Sequence, residues 1–128
     1  MSVHRRLRLL VQPWRLVVER FDPATSLVEA AQQAPKKGFA ALVRSSESVT
    51  LVREARGGDI GVVWRAIEIA GSFAFSETGV LAAIAGPLAD AGVSIFAVNS
   101  YETDFVLVHE GDLEKARVAV EAAGHQLG

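Results

Sequence analysis

Residues 75–108 read FSETGVLAAIAGPLADAGVSIFAVNSYETDFVLV, and the change of period inside this stretch decides the fold. Val80, Ile84, Leu88 and Ala91 fall on one helical stripe that Gly92 ends. Pro87 lies within the stripe and predicts a kink or a split near Gly86. Two short runs follow, SIFAV (94–98) and FVLVH (105–109), apolar on both faces in the way of central strands. Upstream, VVWRAIEIA (62–70) sets Val63, Arg65, Ile67 and Ile69 against Trp64, Ala66 and Glu68 and reads as a strand. Downstream, Asp112 is the predicted N-cap of a helix carrying Leu113, Ala116, Val120 and Ala123, which stops at Gly124. HQLG (125–128) reads as a final edge strand. The order is β-α-β-β-α-β, the split ferredoxin-like unit.

The first half is less regular. LRLLVQPWRLVVERF (7–21) holds two β-rich runs, and Gln12-Pro13 predicts a break between them, since proline cannot donate within a ladder. Asp22-Pro23 marks a turn; Ser26 or Thr25 can cap a short helix that Pro35 and Gly38 stop. Strands near 39–44 and 49–54 form a predicted hairpin, and RGGDIG (56–61) is the expected boundary between residues 1–60 and 61–128. The two hairpins echo each other. Val43 matches Val98, Ser45 matches Ser100 and Glu47 matches Glu102. With Asp104 taken as an insertion, Leu51, Val52 and Glu54 match Leu107, Val108 and Glu110.

Bulk properties bound the function. The 128 residues are 50% apolar and 22% charged, with net charge −2, so nothing favours nucleic acid or an anionic membrane surface. Cysteine is absent, which excludes disulfides, thiol catalysis and Cys-ligated zinc. The N-terminal apolar run is too short for a signal peptide and no stretch reaches membrane-span length, so the expected compartment is cytoplasmic. His4, His109 and His125 are dispersed, without metal-ligand spacing. Ser72 and Ser76 lack a nucleophile elbow, and Gly57-Gly58 is followed by no Lys-Ser or Lys-Thr. No catalytic residue, metal or cofactor is expected, and the chain reads as a non-enzyme.

Two features invite a ligand. In SETGV (76–80) Thr78 stands where a helix N-cap belongs and Gly79 opens the turn. Free N–H groups there suit a carboxylate or phosphate, or the turn is ordinary capping. Asp104 precedes a strand apolar on both faces, where a lone carboxylate is costly. It either caps an Asx-type turn or pairs with a ligand's ammonium group.

The pattern F-x-x-T-G-V-L-A, P-L-A-x-A-G-V-S-I-F and S-x-x-T-D-F-V-L-V resembles the ACT family of regulatory domains over residues 62–125. It is most similar to short bacterial proteins with two such units in tandem, related to the ACT pairs of a mammalian cytosolic arginine sensor and of aspartate kinases. The resemblance implies an α+β fold of two tandem ferredoxin-like units, each an antiparallel sheet with helices on one face, the first divergent and incomplete. It implies an allosteric, regulatory role with an amino acid or similar small molecule as ligand. Ser76 belongs to the implied site. The backbone around Thr78, Gly79 and Val80 would hold the α-carboxylate. Asp104, with Ser100 and Thr103, would take the ammonium or a basic side chain, and Tyr101 and Phe105 would form the wall. A homodimer with ligand at the junction is implied, and because no catalytic domain is fused, a regulated enzyme would be met in trans. The alternative is a ligand-free dimerisation or protein-interaction module.

Overall fold

The computed structural model describes residues 6–70 and 79–128. Two compact units divide the chain: residues 14–64 form one, and residues 1–13 with 65–128 the other. The divisions fall at 13/14 and 64/65. Asp59 is fastened within the first of these units: its carboxylate takes two bonds of 2.9 Å from the Arg53 guanidinium and one of 2.7 Å from the Arg56 N–H.

Within residues 14–64 the elements are the later part of β1 (Arg8–Phe21), α1 (Leu27–Ala31), β2 (Ala40–Arg44) and β3 (Val49–Glu54). Strand β3 lies between the other two and is antiparallel to both. As expected, Ser26 caps α1, its Oγ accepting from the Glu29 N–H at 3.0 Å. Asp22 makes the turn before it by accepting from the Ala24 N–H.

The other unit contains β4 (Trp64–Ala70), α2 (Val80–Asp90), β5 (Ile95–Asn99), β6 (Asp104–His109), α3 (Leu113–Ala122) and β7 (Gln126–Leu127). Its strand order is β1-β4-β6-β5, with β7 parallel to the start of β1. The element order is the predicted one, and the fold is α+β and ferredoxin-like. The place beside β4, however, is taken by β1, and β7 pairs β1. One face of this sheet forms a core with α2 and α3, built from Leu9, Ile67, Ile69, Val106 and Val108 against Ile84, Leu88 and Val120. That set is the odd-numbered face of β4, as the alternation of Arg65, Ile67 and Ile69 requires.

Several local expectations differ from the structure. Strand β1 runs unbroken through Pro13. On one edge of it Val11 N–H bonds Gly128 O, while Arg15 O accepts from Ala55 N–H; Pro13 falls in the interval between these partners, where no donor is needed. Helix α2 likewise continues through Pro87. Strand β5 is an edge strand with Ala97 and Asn99 exposed, whereas the FVLVH strand is central and buried from Phe105 to Val108. Asp112 holds the N-cap position of α3 without a side-chain cap bond, because a 3-10 turn, Glu110–Asp112, leads into the helix and Glu110 O accepts the Leu113 N–H.

Candidate functional site

The β5–β6 hairpin positions most of the polar candidates. Its register pairs Val98 with Phe105 and Asn99 with Asp104, leaving four residues, 100–103, for the turn. Ser100 closes it in three ways. Its N–H donates to Thr103 O at 2.7 Å, its Oγ donates to the same carbonyl at 3.1 Å, and its Oγ accepts the Thr103 N–H at 3.0 Å. The hydroxyl of Ser100 is thus engaged in building the turn. Tyr101, 79% exposed, and Glu102 project at its tip.

The β2–β3 hairpin has the same construction. Arg44 pairs with Val49, residues 45–48 form the turn, and Ser45 N–H donates to Ser48 O at 2.9 Å. Both turns therefore have four residues, and Asp104 is not an insertion. It stands at the position that Val49 occupies in the first hairpin. Val43 with Val98, Ser45 with Ser100 and Glu47 with Glu102 hold equivalent places. The matches of Leu51, Val52 and Glu54 are one residue out of step, a slip that reverses the face of every side chain in a strand. A half-buried carboxylate thus occupies a site where the sister hairpin buries a valine completely.

Alternation separates the wall residues. Asp104 shares a face with Val106 and Val108, which pack under α2 and α3, while Phe105 shares the opposite face with Leu107. Phe105 is buried at 9% exposure and cannot line a pocket with the Asp104 of its own chain. Among the described residues the Asp104 carboxylate has no hydrogen bond or ion pair, so the Asx-cap alternative has no bond to rest on.

The N-terminal end of α2 departs from the expected cap. Gly79, not Thr78, is the N-cap residue, at φ +84°, with no side chain to cap the helix. Glycine stands there because an L side chain resists that conformation; no atom of the described residues lies within 4 Å of the position where a Cβ would be. Val80 turns its side chain into the core, so only its backbone faces outward. Ser76 and Thr78 lie outside the described residues. The structure thus brings Ser100, Thr103 and Asp104 together at one hairpin end and starts the helix at a glycine, which has no side chain to cap it. Asn99, opposite Asp104, was invisible from sequence because only the register assigns it.

Away from this hairpin, Arg53 is buried at 3% exposure among Asp59, Glu19 and the Glu54 carbonyl. The hydrogen bonds it donates to Asp59 raise its pKa above the usual arginine range, against the opposing effect of burial, and Glu19 adds to the rise. No group of three metal-ligating side chains occurs among the described residues, and no helix there is long and apolar enough to cross a membrane.

Comparisons with known proteins bear on residues 60–121, which match the family model of the ACT domain. Over 51 residues the chain is 41% identical to subunit 1 of the human cytosolic arginine sensor for mTORC1, a match covering 39% of this chain and 16% of the sensor. The rat protein is 39% identical over 54 residues, 41% of this chain and 16% of that one. The chain thus covers about a sixth of these relatives' length. Among solved structures, an Agrobacterium tumefaciens protein is 27% identical with a TM-score of 0.82, covering 97% of this chain and 93% of that one. A Vibrio cholerae protein of unknown function (22% identical, TM-score 0.72, 88% and 85% coverage) shares the fold. So do the aspartokinase α and β subunits (14%, TM-score 0.61, 90% and 95%).

Proposed function

Residues 60–121 are an ACT domain, and on that premise we propose that the protein binds an amino acid and acts as a regulatory sensor rather than an enzyme. The observation that carries the reading is Asp104: a half-buried carboxylate without a partner among the described residues, at a hairpin position that otherwise takes a buried valine. An unpaired carboxylate in such a place costs stability, and a ligand's ammonium group would offset that cost.

The glycine start of α2 supplies the complementary half. In a split β-α-β unit, β4 and β5 run parallel on either side of β6, so the helix N-terminus and the first residue of β6 come to one end of the sheet. A positive helix end and a carboxylate at that end suit a zwitterion. In this reading the backbone at Gly79 and Val80, with Ser76 and Thr78, receives the α-carboxylate. Asp104 receives the ammonium, Thr103 and Ser100 hold the turn in shape, and Tyr101 covers the ligand. Phe105 acts through packing beneath the strand. Arginine is the first ligand to test, because the curated relatives are named as arginine sensors.

Residues 14–64 are read as a divergent, incomplete repeat of the same unit: both halves run β-α-β-β with the third strand in the middle. The exposed edge of β5 offers a second copy a strand to pair with, giving a homodimer, and a regulated enzyme would receive the signal in trans. The same edge favours the alternative, a ligand-free interaction module.

A thermal-shift screen against the twenty amino acids, with sedimentation analysis of the same samples, decides between them. A ligand at 100 times its Kd stabilises the native state by about 2.7 kcal/mol. A midpoint that no amino acid moves at millimolar concentration removes the sensor reading and leaves the interaction module.

A further inference from the structure

We infer that Asn99 is a second ligand-contacting and specificity-determining residue, acting with Asp104 on the ligand's ammonium group; the inference rests on the reading of Asp104 given above. Asn99 and Asp104 are register partners across the β5–β6 ladder. Directly opposite residues in an antiparallel pair project from the same face with their Cβ atoms about 5 Å apart. The Ser100–Thr103 bonds fix the turn that joins them, so the spacing of the two side chains is set before any ligand arrives.

Neither side chain is consumed by the fold. Asn99 is exposed, on an edge strand, and among the described residues neither its amide nor the Asp104 carboxylate has a hydrogen-bond partner. Closing such a hairpin does not require them. The β2–β3 hairpin closes on the same four-residue turn with Arg44 and Val49 at the corresponding positions.

The chemistry of the pair selects its ligand. An ammonium group carries three N–H donors and one charge. The carboxylate of Asp104 neutralises the charge and accepts one or two of these donors, and the amide oxygen of Asn99 accepts another without adding a second negative charge. A site built to hydrogen-bond an N–H rejects analogues that lack it far more sharply than an apolar pocket rejects a missing methylene. The ligand class is therefore a compound with a free ammonium group, and N-acylated amino acids, which lose the charge and keep a single N–H, are excluded.

The test uses the full chain labelled with 15N, titrated with a mixture of the twenty L-α-amino acids and, separately, with their N-acetyl derivatives. The side-chain amide resonances of Asn99 and the backbone amide of Asp104 are followed. Both move with the free amino acids and stay still with the acetylated ones if the inference holds. Asn99→Ala then weakens binding about tenfold, the size of one hydrogen bond, with the unliganded melting temperature unchanged. Movement at Asp104 with Asn99 still and Asn99→Ala binding normally overturns the role of Asn99 and leaves the sensor standing. No movement at either residue overturns both.

Discussion

The Nε2–H of His125 donates to the carbonyl of Ala83 at 3.0 Å, the very carbonyl that Pro87, four residues on and without an N–H, leaves unpaired. This bond explains how α2 passes through a proline. The donation at Nε2 leaves Nδ1 as acceptor, and the Leu7 N–H bonds it at 3.0 Å. One buried imidazole thus joins α2 to the strand-leading segment at Leu7. His125→Ala orphans a carbonyl and an N–H, and we expect a loss of about 3 kcal/mol. Pro87→Ala restores a helical donor to Ala83, so in the His125→Ala background it returns about 1 kcal/mol. A urea double-mutant cycle measures this coupling; strictly additive effects would contradict it.

In the proposed function Asp104 trades stability for ligand binding. Asp104→Val restores the residue type that Val49 represents in the sister hairpin. It should raise unliganded stability by about 1 kcal/mol and abolish any amino-acid-induced shift. Asp104→Asn should keep the fold and lose the shift. Thermal melts with and without amino acids read both; a collapse of unliganded Asp104→Asn would make the carboxylate structural.

Two glycines separate backbone strain from steric exclusion. Gly79 has φ +84° and, among the described residues, no atom within 4 Å of a Cβ, so Gly79→Ala is expected to cost the conformational penalty, about 1 kcal/mol. Gly38 has φ +99°, and a Cβ there would lie 1.9 Å from Glu54 Oε2, the atom that accepts the Phe39 N–H at 2.7 Å. Gly38→Ala must displace that carboxylate and is expected to cost about 3 kcal/mol. Adding Glu54→Ala should reduce the further cost of Gly38→Ala to the size seen at Gly79. Denaturant midpoints of the four variants test the comparison.

Asp59 makes stability pH-dependent on the acid side. Its hydrogen bonds from Arg53, then from the Arg56 N–H, hold its carboxyl well below the usual carboxylate range. The folded state therefore binds this proton later than the unfolded chain does. The stabilisation is complete above the unfolded pKa and is lost as pH falls from about 4 toward the folded value. Asp59→Asn should flatten this part of the stability profile and lower stability near neutrality. A profile unchanged from wild type between neutral and acid pH would refute the assignment.

Much of the fold was legible because periodicity and punctuation are local. The Val80–Ile84–Leu88 stripe, the Ser26 cap, both hairpins and the alternation of Arg65, Ile67 and Ile69 follow from side-chain spacing alone. Pro13 breaks no strand and Pro87 splits no helix, for one shared reason. A proline breaks an element only where its missing donor is needed, and at Pro13 and Pro87 the surrounding chain removes that need. The candidate site divided along the same line. Asp104 stood out by composition, yet its supposed insertion, the place of Phe105 on its face and the presence of Asn99 all depend on register.

The amino-acid sequence by itself determined the order of elements, the apolar faces and the unusual carboxylate at residue 104, because each is encoded within a few residues. Only the tertiary structure decided that β1 lies beside β4, that His125 answers Pro87, and that Asp104 faces Asn99 where Val49 faces Arg44. Those relationships join residues distant in the chain or set by strand register, and a local pattern carries no record of them.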